Sequence, residues 1–178
     1  LELPYGNWDM MHFHGRHCME RQPERIKLFH GVHTLISGRG MSSHQHNPFV
    51  IICDHEATED SGACYGMMLM YSGNHKTEVE LDQFESVRVV MGLNDDRFRW
   101  ELEPGTSLHT PEVILSYAEG LTALSHNYHR CIRNNVIKGK YKLSHRPVLV
   151  NNWEATYFDF TEEKLLEICG IAKDLGIE

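Results

Sequence analysis

The sequence lacks the features that would place it in several large functional classes. No stretch approaches the roughly 18 consecutive apolar residues of a membrane span, and the longest apolar runs, 49–53 and 67–71, are only strand-sized. Basic residues are scarce. Seventeen Lys and Arg against 25 Asp and Glu give a net charge of −8, which leaves no basic stripe for phosphates and argues against a nucleic-acid partner. Five cysteines, Cys18, Cys53, Cys64, Cys131 and Cys169, are scattered without a Cys-x-x-Cys pair. No disulfide framework is therefore expected, and reduced thiols in a cytoplasmic protein are the better reading. Nucleophile elbows and dinucleotide fingerprints are missing, and Ser37-Gly38-Arg39-Gly40 is a turn with no helix after it. No signal-peptide pattern, internal repeat or low-complexity segment is visible. The chain opens on Leu1-Glu2-Leu3-Pro4 and stops soon after a helical stretch, so it is expected to be a piece of a longer polypeptide.

What is present is mostly β. Strands are predicted at 25–29, 32–37, 49–54, 63–71, 77–82, 86–92, 97–102 and 112–117. Val79 and Leu81 alternate with Glu78, Glu80 and Asp82, as in a strand with one wet face. Turn signals separate the strands at 37–40, 72–74, 94–96 and 104–105. Many short strands at this spacing predict an antiparallel sandwich over residues 1–118.

The period then becomes helical, with Leu121, Leu124, Tyr128, Cys131 and Ile132 on one face of a helix predicted over 119–133. Asn134, Asn135 and Gly139 end it, and residues 119–145 form a helical linker. The third segment, 146–178, reads as one βα unit. Val148, Leu149 and Val150 form a continuous apolar run, predicting a parallel strand over 148–152 that is buried on both faces. A polar and aromatic loop over 153–160 leads to a helix capped by Thr161 or Asp159. Leu165, Leu166, Cys169, Ala172 and Leu175 line its apolar face, and Gly176 stops it. One strand and one helix cannot bury their own faces, so this unit is incomplete.

The chemistry-bearing candidates are few. His12, His14, His17 and Cys18 fall within seven residues, and His44 and His46 make a second pair. Alternate residues on a strand share a face, so either pair could reach one zinc ion. No third ligand sits at recognisable spacing, and surface or hydrogen-bonded histidine is the reading preferred. Glu154 and Asp159 flank the loop at the carboxyl end of the predicted strand, where barrel enzymes place their sites. Helix capping by Asp159 and an ion pair for Glu154 are the simpler roles. Trp153 is the stronger candidate, because an indole face stacks on the C–H face of a sugar and its N–H can donate to a hydroxyl. Packing inside a barrel mouth is its structural alternative.

At Arg-Pro-Val-Leu-Val-Asn-Asn-Trp-Glu-Ala-Thr-Tyr-Phe-Asp-Phe, residues 146–160, a specific resemblance emerges. This stretch resembles the entry into the catalytic barrel of family-36 glycoside hydrolases, the bacterial and fungal α-galactosidases. Gly15-Arg16 with Glu20-Arg21, the stretch from Ser42-Ser43-His44 to Phe49, Ser116-Tyr117, and 124–130 are similar to that family in the same order. The resemblance implies the later part of a large β-sandwich (a supersandwich), a linker helix, and the first βα unit of a truncated (β/α)8 barrel. It also implies retaining hydrolysis of terminal α-D-galactose from oligosaccharides such as melibiose and raffinose, through a covalent intermediate on an aspartate. No metal or organic cofactor is implied, and relatives are often tetramers. The family's nucleophile lies in a Lys-Trp-Asp motif that is absent here, so no catalytic residue carries over and the fragment itself is expected to be inactive. Of the site, only Trp153 matches a position expected to contact substrate. His17 stands where many relatives have tryptophan, which puts any pocket-shaping role of that position in doubt. The rival from another class is a non-catalytic carbohydrate-binding sandwich with a helical tail. A second rival is a metal-dependent β-barrel enzyme.

Overall fold

A computed structural model describes residues 1–177. The chain divides into two compact units, Leu1–Ile132 and a second from Arg133 onward. The first unit contains nine strands: β1 (Glu2–Leu3), β2 (Trp8–Arg16), β3 (Met19–Lys27), β4 (Gly31–Ser37), β5 (His46–Asp54), β6 (Ala63–Leu69), β7 (His75–Leu81), β8 (Val87–Leu93) and β9 (Val113–Glu119). They form two antiparallel sheets, one in the order β1-β8-β7-β4 and the other β3-β2-β5-β6-β9. Two packed antiparallel sheets are the sandwich that the spacing of short strands predicts.

Alternation accounts for the four-stranded sheet. Along β7 the residues His75, Thr77, Val79 and Leu81 are buried while Lys76, Glu78 and Glu80 face out. Val79 and Leu81 join Val87, Val89 and Leu35 against Met10, Val50, Ile52 and Met67 of the other sheet. At the far side of this sheet β1 pairs with β8 through Glu2↔Arg88 and Leu3↔Val87.

The five-stranded sheet is buried on both faces at its centre, which explains why Phe49 to Cys53 is apolar without alternation. Its outer face carries Phe49, Ile51, Cys53 and Cys64, covered by Leu124 and Tyr128 of α1 (Leu121–Cys131). The helix assigned from sequence to the linker thus packs on the sandwich, continuing into a π-helical turn, Ile132–Val136. The α1 amides of Leu121 and Thr122 donate to the carbonyls of Thr58 and Glu59, satisfying a helix start that has no side-chain cap. Cys53 lies directly opposite Cys64. Burial pushes the Cys53 thiol up to about 11, so it stays protonated and unreactive.

Tyr128 lies across Gly66 of β6 and donates from its hydroxyl to Ile114 O at 3.1 Å. A Cβ at residue 66 would sit 2.6 Å from Tyr128 Cε2 and 2.8 Å from its hydroxyl oxygen. Gly66→Ala is therefore expected to lower stability by about 1–3 kcal/mol through overpacking, read as a lower urea midpoint. An unchanged midpoint would show that the ring can move aside.

Two predicted strands are corrected. The strand predicted at 97–102 is irregular, with Phe98, Trp100 and Leu102 exposed. Alternating side chains define a face, but a strand also needs a neighbour for its N–H and C=O groups. The strand predicted at 148–152 is likewise absent, and Val148, Leu149 and Val150 are exposed. An apolar run records a demand for burial, and a parallel ladder forms only beside partner strands, none of which lies within the described residues. Conversely, β1, β2 and residues 19–24 of β3 escaped prediction. β2 mixes histidines into a strand buried on two faces, and β3 is a charged edge strand that accommodates Pro23.

The second unit contains a short helical turn, α2 (Trp153–Thr156), and α3 (Glu162–Asp174). Thr161 caps α3, its side chain accepting from the Lys164 amide. Asp159, the other predicted cap, instead pairs with Lys164 Nζ at 3.1 Å. Of the predicted apolar face only Ala172 is buried, with Leu165 half-buried and Leu166, Cys169 and Leu175 exposed. Gly176 follows the helix with φ 78°.

Candidate functional site

The loop 151–160 is built from short-range polar contacts that hold its aromatics in place. Asn151 Oδ1 accepts from the Trp153 amide at 2.8 Å. Asn152 O accepts from the amides of Ala155 and Thr156, and Asn152 Nδ2 donates to Thr156 Oγ1 at 2.9 Å. This closes α2 as a single turn. Tyr157 then takes a left-handed backbone with φ 47°, which reverses the chain and brings its ring and that of Phe158 back to the indole. The Trp153 ring meets Tyr157 edge-on at 5.6 Å between centroids and Phe158 at 4.8 Å. Trp153 nevertheless remains 44% exposed, beside still more exposed Tyr157 and Phe158.

An indole braced by two rings and open to solvent can receive the C–H face of a sugar without reorganising. The two acids nearby each have a local partner. Tyr157 OH donates to Glu154 Oε2 at 3.0 Å, where the sequence suggested a basic partner. Asp159 is held by Lys164, which donates to its carboxylate and to its carbonyl, both at 3.1 Å.

The histidines separate into two groups. His17, Cys18 and His44 are exposed, and His17 and His44 line, with Arg16 and Arg39, an open cleft of about 480 Å³. His12, His14 and His46 converge within the first unit. A register shift between His12 and His14 sets His14 directly opposite His46 on β5, and the His12 ring lies 6.1 Å from His14 and 6.4 Å from His46. Glu24 Oε2 stands 3.5 Å from His12 Nε2 and 3.7 Å from His14 Nε2. Among the described residues no three His, Cys, Asp or Glu side chains are arranged to hold a metal ion. Spacing in the sequence marked the two pairs. The register that joins them is a property of strand pairing and left no local signal.

Comparison with known proteins treats both halves of the chain alike. Residues 1–103 match the model of the glycosyl hydrolase family 36 N-terminal domain, and residues 107–178 match that of melibiase. The chain is 49% identical to the bifunctional alpha-galactosidase/sucrose kinase AgaSK of Mediterraneibacter gnavus, over 100% of this chain and 19% of that protein. It is 44% identical to alpha-galactosidase AgaA of Geobacillus stearothermophilus, again over 100% of this chain and 25% of that protein. The crystal structure of AgaA superposes with a TM-score of 0.95 at 44% identity, covering 100% of this chain and 25% of that one. Variants of AgaA have been crystallised with raffinose and with stachyose. The chain thus spans no more than a quarter of the length of these relatives.

Proposed function

This chain belongs to glycosyl hydrolase family 36, and we propose on that basis that the full-length protein is an α-galactosidase. It releases terminal, non-reducing α-D-galactose from oligosaccharides such as melibiose and raffinose. The carrying observation is that both halves of the chain match, in order, enzymes named for this activity, at 44–49% identity over the whole chain. The first unit is its N-terminal sandwich domain, and the second opens a (β/α)8 barrel whose later strands supply the catalytic aspartates. Trp153 forms part of the wall of the sugar pocket. Its open, ring-braced indole supports that role, since it offers an apolar face and one N–H donor to a polyhydroxylated ligand. Five scattered cysteines with no Cys-x-x-Cys pair suit a cytoplasmic enzyme, and assembly as a homo-oligomer, a tetramer by family resemblance, is part of the same reading.

The full-length protein is expected to release galactose from raffinose with the α-anomer appearing first, as retention requires. Proton NMR of the fresh hydrolysate reads both release and anomer. Absence of release, or β-galactose as the first product, would overturn the proposal. The isolated 178-residue chain, lacking the Lys-Trp-Asp segment, is expected to release none.

A further inference from the structure

Histidines from both sheets meet at one end of the sandwich: His12 and His14 on β2, His46 on β5, His33 on β4 and His75 on β7. Four of their ring nitrogens, His12 Nδ1, His33 Nε2, His46 Nδ1 and His75 Nδ1, are buried without a protein hydrogen-bond partner. His75 Nε2 lies 3.2 Å from the carbonyl oxygen of His46. A carbonyl only accepts, so Nε2 carries the proton and Nδ1 of neutral His75 is an unprotonated base. Adding a proton there creates a buried N–H with no acceptor beside it, in a cluster rich in other imidazoles.

Among the described residues, the one carboxylate paired with the group is Glu24. Around His12 stand Glu24 from β3, His46 from β5, His14 from its own strand and His33 from β4. His14 faces His46, and His46 faces His75. A single carboxylate shared by His12 and His14 cannot balance several imidazolium ions. Burial pushes His12, His46 and His75 below the ordinary imidazole value, opposed at His12 by Glu24 and at His75 by the bond to His46 O.

The cluster adjoins the crossover 38–45, which carries the chain from β4 in one sheet to β5 in the other. The far side of this crossover is tied by groups that do not titrate. Ser37 Oγ donates to Met41 O, Ser42 Oγ to Tyr71 O, and the Gly40 amide to Asn74 Oδ1. On the β5 side the contact is to backbone, the His46 carbonyl accepting from His75 Nε2 at 3.2 Å.

We propose that His12, His46 and His75 of this cluster form a proton-operated latch. With the imidazoles neutral it holds the 38–45 crossover across both sheets, and when they take up protons the like charges part that end of the sandwich and release it. The direction follows from linkage. A histidine with a lowered folded value binds protons more weakly folded than unfolded, so its stability contribution is intact above about pH 6.5 and is lost as pH falls below that.

Hydrogen exchange of the full-length protein, read by mass spectrometry and corrected for intrinsic rates, tests the latch. Protection of 38–47 is expected to fall about 10-fold or more between about pH 7.5 and about pH 5, while β8 changes less than about 2-fold. In His12→Leu the response of 38–47 should shrink at least about 3-fold, whereas His30→Gln, at an exposed histidine, should leave it intact. Equal protection at both pH values, equal loss in β8, or an undiminished response in a folded His12→Leu protein would each overturn the latch. If His12→Leu fails to fold, the contrast between 38–47 and β8 in the unaltered protein decides alone.

Discussion

Trp153→Ala in the full-length protein is expected to lower kcat/KM for raffinose by about 10- to 100-fold. An indole face that covers a galactose ring removes on the order of 60–100 Å² of apolar surface from water, or about 1.5–2.5 kcal/mol at 25 cal/mol per Å². If the stacking is equal in ground and transition states, the loss falls on KM, and if it grows as the ring flattens, it falls on kcat. Trp153→Phe should keep most of the activity, since a smaller ring still offers a face. The indole also packs against Tyr157 and Phe158, so thermal unfolding of the variant must accompany the assay. A folded Trp153→Ala protein with unchanged kcat/KM would remove Trp153 from the sugar pocket and leave it a packing residue.

The largest stability effect is expected at Arg25. Its Nε donates to Asp9 Oδ2 at 2.7 Å, its Nη1 to Ala57 O at 2.7 Å, and its Nη2 to the carbonyls of Asp54 and His55 at 2.9 and 2.8 Å. Asp9 is only 4% exposed, and its other oxygen contacts His55 Nδ1 at 2.8 Å. One guanidinium thus ties β3, β2 and the turn after β5 together. Arg25→Ala strands a buried carboxylate and three carbonyls, and is expected to cost about 3–5 kcal/mol. Arg25→Lys should recover less than half of that, because an ammonium cannot reproduce the planar fork. Urea denaturation checks both, with a lowered midpoint at constant slope as the expected result. A loss under about 1 kcal/mol would mean that water replaces the fork at little cost.

These residues also show what could be read without coordinates. Val79 and Leu81 declared their face because Glu78, Glu80 and Asp82 flank them, and β7 has the predicted inside and outside. Leu124 and Tyr128 declared a helix face, and both are buried. Trp153 could be placed on a loop, but its bracing by Phe158 depends on the left-handed turn at Tyr157, a residue type that gives no such warning. Asp9 and Arg25 looked like two ordinary charges sixteen positions apart, since the buried fork depends on how β2 pairs with β3. The histidine cluster was half visible for the same reason. His12 with His14, and His46 with His44, are local pairs in the sequence, whereas His33 and His75 belong to the opposite sheet. Composition and period report what each residue seeks locally, and register decides whom it meets.

The pairing of β1 with β8 sets an order of events during synthesis. Leu3 leaves the ribosome more than eighty positions ahead of its partner Val87. At about 5–20 residues per second, that is a wait of roughly 4–17 s. Meanwhile β2–β3 and β5–β6 can close as neighbouring hairpins. β1 therefore cannot take its place beside β8 until those hairpins have had time to form.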